Sequence, residues 1–255
     1  MAIVEAAPIA IDQDVVYARA GGRDLRCDVY RPPAGASKHT AIVQFPGGGF
    51  RGANKAGTRL ARPLAALGYT TVAAEYRVLP DLWPASLDDA QAAIGWTRSH
   101  AGDLGVEAGK VVVLGYSAGG RLALLCASDE PGISACVAFY PSSGDISRNP
   151  IVGESPSAEV LSSIDVLGKI KAGFPPTLLL HGTTDSMIPL DQTLRLYTSL
   201  QSARVPTELH VVEGMTHIFD AHADMAAASA EWIDLFLDRH VVNPRVYPST
   251  EPPRP

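Results

Sequence analysis

A chain of 255 residues, 46% apolar and 19% charged, is long enough for one α/β domain with a sizeable core, and too apolar and weakly charged for disorder. Its 21 Lys and Arg against 27 Asp and Glu leave a formal charge of −6, so it lacks the cationic surface that nucleic-acid backbones or anionic lipids require. No apolar run approaches the ~18 residues that span a bilayer, and neither nucleic acid nor membrane is expected as a partner.

The chain begins MAIVEAAPIAIDQD, without Lys or Arg ahead of its apolar residues and with Glu5 and Pro8 interrupting them. This fails the tests of a secretory signal and predicts a cytoplasmic protein. Alternation over residues 14 to 20 and 23 to 31, with Gly21 and Gly22 between, predicts an antiparallel hairpin. Short apolar runs then alternate with helical patterns. AIVQF precedes GTRLARPLAAL; YTTVAAEYR precedes SLDDAQAAIGWTRSH; VVVLGYS precedes GGRLALLCAS. ACVAFY leads into an irregular stretch, PTLLLHG into LDQTLRLYTSLQSA, and ELHVVEG into AAASAEWIDLFLDRH. Continuously apolar strands, each followed by a helix, predict an eight-stranded, mostly parallel α/β sheet with helices on both faces, in one domain over 1–255. Residues 142–172 break the rhythm as a short lid-like insertion. Residues 243–255 carry Pro244, Pro248, Pro252, Pro253 and Pro255 and read as a Pro-rich arm, packed on this subunit or on the neighbour in a homodimer. Cys27, Cys126 and Cys136 lack the paired spacing of a metal or redox site and are expected as buried, reduced thiols.

Ligands of such sheets bind beyond the carboxyl ends of the strands, so residues just after a strand are the candidates. VVVLGYSAGG puts Ser117 between a strand and a helix, flanked by Gly115 and Gly119, the context that a G-x-S-x-G nucleophile needs. A serine at so sharp a turn is strained, and glycines two residues either side relieve clashes with neighbouring backbone. Serine attacks only with a base in reach, itself oriented by a carboxylate. Asp185 follows one later strand and His217 the next, giving the order Ser117, Asp185, His217. Asp145 and Asp191 are the rival acids, the second better placed to cap a helix after Pro189. His222 and His210 are the rival bases, while His181 reads as shaping the turn that presents Asp185. Gly47, Gly48 and Gly49 follow the AIVQF strand and can turn their amides inward, and Ala118 supplies the amide after the nucleophile.

PGGGF, YRVLP, PASLDDA, GYSAGG and HGTTD together, within about Asp14 to His240, resemble the α/β-hydrolase superfamily. They are similar to its hormone-sensitive-lipase-like, acetyl-esterase branch of small carboxylesterases. The resemblance implies an oxyanion hole from Gly48, Gly49 and Ala118, with Gly47 shaping the loop, and structural contacts by Tyr76, Arg77 and Asp89 beside the site. From its position alone, Arg77 could instead meet a substrate anion. Two departures stand out. Pro46 occupies the place of the family's first histidine in HGGG, so the bonds that hold the loop need a replacement, for which proline's fixed φ is one source. Only ~13 residues precede the first strand, too few for the family's helical cap.

The expected function is a cofactor-free serine carboxylesterase acting on a small-molecule, short-chain ester through an acyl-enzyme. Acetyl-xylan or feruloyl esterase, serine peptidase or amidase, and a non-catalytic small-molecule receptor are the alternatives. Dienelactone hydrolases typically use cysteine, which Ser117 argues against. The apolar positions between Ile151 and Ile170 suffice for one short amphipathic helix resting on the sheet edge.

Overall fold

In the computed structural model, which describes residues 8–248, the hairpin forms from β1 (Ala10–Ala20) and β2 (Arg23–Arg31). Gly21 and Gly22 take φ of 58° and 73°, the pair of left-handed residues that a tight hairpin turn needs. β1 begins before the expected boundary. Its ladder shifts register between Asp12 and Val15, with Asp14 at φ 56°, and such a break hides the alternation on its far side.

Six parallel strands follow: β3 (Ala41–Phe45), β4 (Thr70–Ala74), β5 (Val111–Tyr116), β6 (Ile133–Phe139), β7 (Thr177–Gly182) and β8 (Thr207–Val212). The sheet order is β1-β2-β4-β3-β5-β6-β7-β8. Every residue of β3, β4, β5 and β7 is buried, because helices cover both faces and leave no polar side. Val111 and Val113 of β5 enter one core while Val112, Leu114 and Tyr116 enter the other, the period-2 consequence of strand geometry.

The first core is closed by α2 (Ala85–Ser99), α4 (Ala118–Asp129) and α6 (Leu190–Ser202), the second by α1 (Ala61–Ala66) and α7 (Ala223–Leu237). A single turn, α3 (Ala101–Leu104), extends α2. After β3 the chain adds β4 on one side, then returns to place β5 on the other. The carboxyl ends of β3 and β5 therefore flank a switch point, where open α/β sheets bind ligands.

Residues 142–172 contain the expected short helix, α5 (Ala158–Ile164), but it does not rest on the sheet edge. β6 is an interior strand, and the insertion lies along α4 and the loop before α2. The Arg121 guanidinium donates to the carbonyls of Ile164 and Gly144, Trp83 Nε1 to Ser163 at 2.7 Å, and Lys169 pairs with Asp129 at 2.8 Å. Cys27, Cys126 and Cys136 are free and buried, as expected, and burial pushes the Cys27 thiol up to about 12. The N-terminal residues 1–7 and the end of the Pro-rich arm, 249–255, lie outside the described residues. Among the described residues no helix is long and apolar enough to cross a membrane.

Candidate active site

Ser117 sits between β5 and α4 with φ 53° and ψ −113°, a conformation rarely adopted by non-glycine residues and characteristic of strained functional turns. Close backbone packing enforces it. A Cβ on Gly115 would lie 2.0 Å from the Gly119 carbonyl oxygen, and one on Gly119 would lie 2.1 Å from that of Phe45. Glycine at both positions lets β3, β5 and the start of α4 converge, and the Ser117 amide still donates to Phe139 O at 3.0 Å.

The three residues expected to act together meet. His217, in the loop after β8, places Nε2 3.1 Å from Ser117 Oγ and Nδ1 2.6 Å from Asp185 Oδ2. The Asp185 side chain is fully buried, and its Oδ1 accepts the amides of Met187 and Ile188, each at 2.9 Å. Burial pushes this carboxyl up, but the His217 hydrogen bond and the two amides outweigh it and hold Asp185 below the ordinary carboxylate value. His181 braces the same turn. Its Nδ1 meets Thr193 Oγ1 at 2.7 Å, and Nε2 donates to Ile188 O at 2.9 Å and lies 3.2 Å from Asp185. Burial pushes that imidazole below the ordinary histidine value.

The rivals are elsewhere. Asp145 accepts from Ser147 within the insertion, His210 stacks on Trp232 at 4.7 Å, and His222 stands exposed before α7. Asp191 pairs with Arg195 at 2.7 Å but does not cap its helix. Pro189 holds the cap position, and Asp191 falls inside the first turn. Arg77 is engaged elsewhere too: its Nε donates to Asp89 Oδ2 at 2.9 Å and its Nη2 to Asp89 Oδ1 at 2.7 Å, the structural pairing that the family resemblance implies.

Gly48 and Gly49 take φ of 133° and 61°, and a Cβ on Gly48 would fall 1.9 Å from Gly52 O, so this tight loop admits only glycine there. Gly48, Gly49 and Ala118 line the cavity around Ser117 and His217. Among the described residues the amides of Gly48 and Gly49 donate no hydrogen bond. The loop is tied down by the Tyr76 hydroxyl, which donates to Pro46 O at 2.7 Å. A phenol two residues past β4 thus supplies a tether for this loop, beside the fixed φ of Pro46 itself.

The cavity, about 560 Å³, also admits residues that sequence reasoning passed over: Arg59, Tyr140, Asn149, Met187, Ile188 and Ile218. Tyr140 lies 4.4 Å, centroid to centroid, from the His217 ring, and its hydroxyl donates to the buried carboxylate of Asp220. It directly follows β6, so the rule of looking beyond strand ends could have found it. Arg59 and Asp220 offered no such signal, since neither follows a strand directly.

Residues 27–143 match the BD-FAE family model and residues 150–243 the prolyl oligopeptidase family model. The probable carboxylic ester hydrolase LipM of Mycobacterium tuberculosis is 29% identical over 89% of this chain, which spans 61% of LipM's length. Among solved structures, the acetyl ester-xyloside bifunctional hydrolase of Caldicellulosiruptor lactoaceticus shares the fold, with 21% identity, coverage of 93% and 98%, and a TM-score of 0.76. Esterase 2 of Thermogutta terrifontis, phosphorylated by paraoxon, is 30% identical, with coverage of 94% of this chain and 98% of that one and a TM-score of 0.75. The chain belongs to the α/β-hydrolase superfamily, in its hormone-sensitive-lipase-like carboxylesterase branch. The Thermogutta α/β-hydrolase has also been solved with butyrate and with propionate bound.

Proposed function

We propose that this α/β-hydrolase is a serine carboxylesterase for short acyl esters, with Ser117, His217 and Asp185 as its catalytic triad and Gly48, Gly49 and Ala118 as its oxyanion hole. The observation that carries the proposal is the continuous hydrogen-bonded path from Ser117 Oγ through His217 to Asp185, at 3.1 and 2.6 Å. Ser117 Oγ attacks the ester carbonyl while His217 Nε2 takes its proton. The proton is then given to the departing alkoxide, and the alcohol leaves an acyl-serine. Water, deprotonated by the same imidazole, attacks this acyl-enzyme and releases the acid, returning the proton to Ser117. Asp185 holds Nδ1–H, so that Nε2 is free to accept, and stabilises the imidazolium that forms. The free loop amides meet the oxygen as its charge develops, each worth ~3 kcal/mol in the transition state.

Chain-length preference follows from what covers the site. Of residues 142–172, only Ser142 and Asn149 reach the cavity, so the insertion is a minimal roof. A methylene gains ~0.8 kcal/mol only where walls remove it from water. With Phe50, Met187, Ile188 and Ile218 as the apolar wall, that gain ends after a few carbons, in keeping with the butyrate and propionate held by the Thermogutta enzyme. A series of 4-nitrophenyl esters tests both parts. Acetyl to butyryl esters should give the highest kcat/KM, falling steeply by octanoyl; better turnover of dodecanoyl than butyryl esters, below aggregation, would overturn the length preference. Because 150–243 matches a peptidase family, the matched butyryl anilide belongs in the series, and its faster cleavage would favour an amidase.

A further inference from the structure

The triad chemistry leaves one charged group of the cavity lining, Arg59, without a task. Arg59 lines the same cavity as Ser117 and His217, and among the described residues no Asp or Glu lines it. Behind Arg59 lies Asp220, whose side chain is 0% exposed. Its two partners are the Tyr140 hydroxyl and Arg59 Nη1, the latter at 3.1 Å, and both of those residues line the cavity. A carboxylate withdrawn completely from water is costly unless it is paired. Here the pairing fixes a guanidinium at the cavity wall.

The arrangement is polarised. The negative end is buried and shared between a phenol and a guanidinium; the positive end remains 34% exposed. Among the described residues Arg59 uses only Nη1, toward Asp220 and, at 3.5 Å, Gly57 O. Its Nε and Nη2 donors meet no partner among the described residues, and this edge of the guanidinium has the planar fork that matches a carboxylate. Asn149 adds a neutral polar group to the cavity lining.

We propose that Arg59 is a specificity residue that binds a carboxylate carried by the ester itself, so that the preferred substrates are esters of a dicarboxylic acid or of a carboxylated alcohol. The inference rests on the serine-esterase reading of the site. Arg59 takes no part in bond making. Its guanidinium anchors the remote anion while Ser117 attacks the ester carbonyl.

Two matched pairs test this. On the acyl side, mono-4-nitrophenyl adipate is compared with 4-nitrophenyl hexanoate, the adipate chain being long enough to keep its free carboxylate from attacking its own ester. On the alcohol side, 4-acetoxybenzoate is compared with phenyl acetate. At low salt, at least one pair should favour the anionic ester about tenfold or more in kcat/KM, the size of a charge-assisted contact. Arg59→Gln should abolish that ratio, Arg59→Lys should restore part of it, and salt should lower it. Each ratio is internal to one preparation, so a variant that folds poorly still reports. Neutral esters preferred in both pairs, or an anionic preference that survives in Arg59→Gln, would overturn the proposal. Absence of Ser117-dependent turnover of 4-nitrophenyl butyrate would instead overturn the esterase reading beneath it.

Discussion

Tyr76→Phe removes one oxygen atom and tests what holds the oxyanion loop. The ring should stay in place, because Phe50 packs edge-on against it at 6.4 Å and the residue is almost wholly buried. What is lost is the 2.7 Å hydrogen bond to Pro46 O. A buried carbonyl left without its donor costs ~1–3 kcal/mol of stability, to be read as a lower urea midpoint at unchanged slope. Catalysis should suffer as well, because Pro46 leads directly into the amides of Gly48 and Gly49. Complete loss of one oxyanion donor costs ~10²–10³ in turnover, and a loosened loop misplaces donors without removing them, so kcat should fall roughly ten- to a hundredfold. KM should move by less than about threefold, since these amides act most strongly on charge that the ground state lacks. The assay is kcat and KM for 4-nitrophenyl butyrate beside urea unfolding. A variant that loses stability yet keeps kcat within twofold would show that the Gly48 turn, closed by Arg51 N and Gly52 N on Gly48 O at 2.9 and 3.2 Å, holds the loop unaided.

Ser117→Ala should lower esterase turnover by ~10³–10⁶ with the fold intact, and paraoxon should label Ser117 alone, as peptide mass mapping can check. Asp185→Asn should cost ~10⁴ by favouring the wrong His217 tautomer, whereas Asp191→Asn, which loses an exposed pair with Arg195, should keep activity and cost under ~1 kcal/mol in denaturant melts; the reverse ranking would move the acid. Gly119→Ala should give little folded protein by circular dichroism, because its Cβ would meet Phe45 O at 2.1 Å. The lowered folded-state value of Asp185 means its stabilising contribution is present above the unfolded carboxylate range and is lost only as pH falls through that lower value. Asp185 should therefore keep stabilising the fold down through the ordinary carboxylate range, as ellipticity followed against pH can check; an Asp185-dependent loss of ellipticity above that range, absent in Asp185→Asn, would contradict this.

The strands and the triad were legible because each depends on local sequence. Burial on both faces writes continuous apolar runs into β3, β4, β5 and β7, and the strain at Ser117 demands glycine at fixed offsets in the chain. Asp185 and His217 follow strands in the expected order. What failed locally was register and capping. The shift between Asp12 and Val15 concealed the start of β1, and Pro189 displaced Asp191 from the cap, an outcome decided by a turn that Asp185 had already organised through the amides of Met187 and Ile188.

The remaining features depend on residues far apart in sequence. Tyr76 reaches Pro46 across 30 positions, Tyr140 reaches Asp220 across 80, and Arg59 reaches Asp220 across 161. Such pairings leave no spacing to read, because only the sheet order brings the ends of β3, β4 and β6 to one side of the molecule. The same geometry explains why they gather at the site. Strand ends at a switch point expose backbone groups and widen into a crevice, so side chains there can be spent on tethering a loop or lining a cavity without disturbing the core. In this chain the candidate reacting groups are therefore written in local motifs, while the groups proposed to hold and select substrate are brought together by topology.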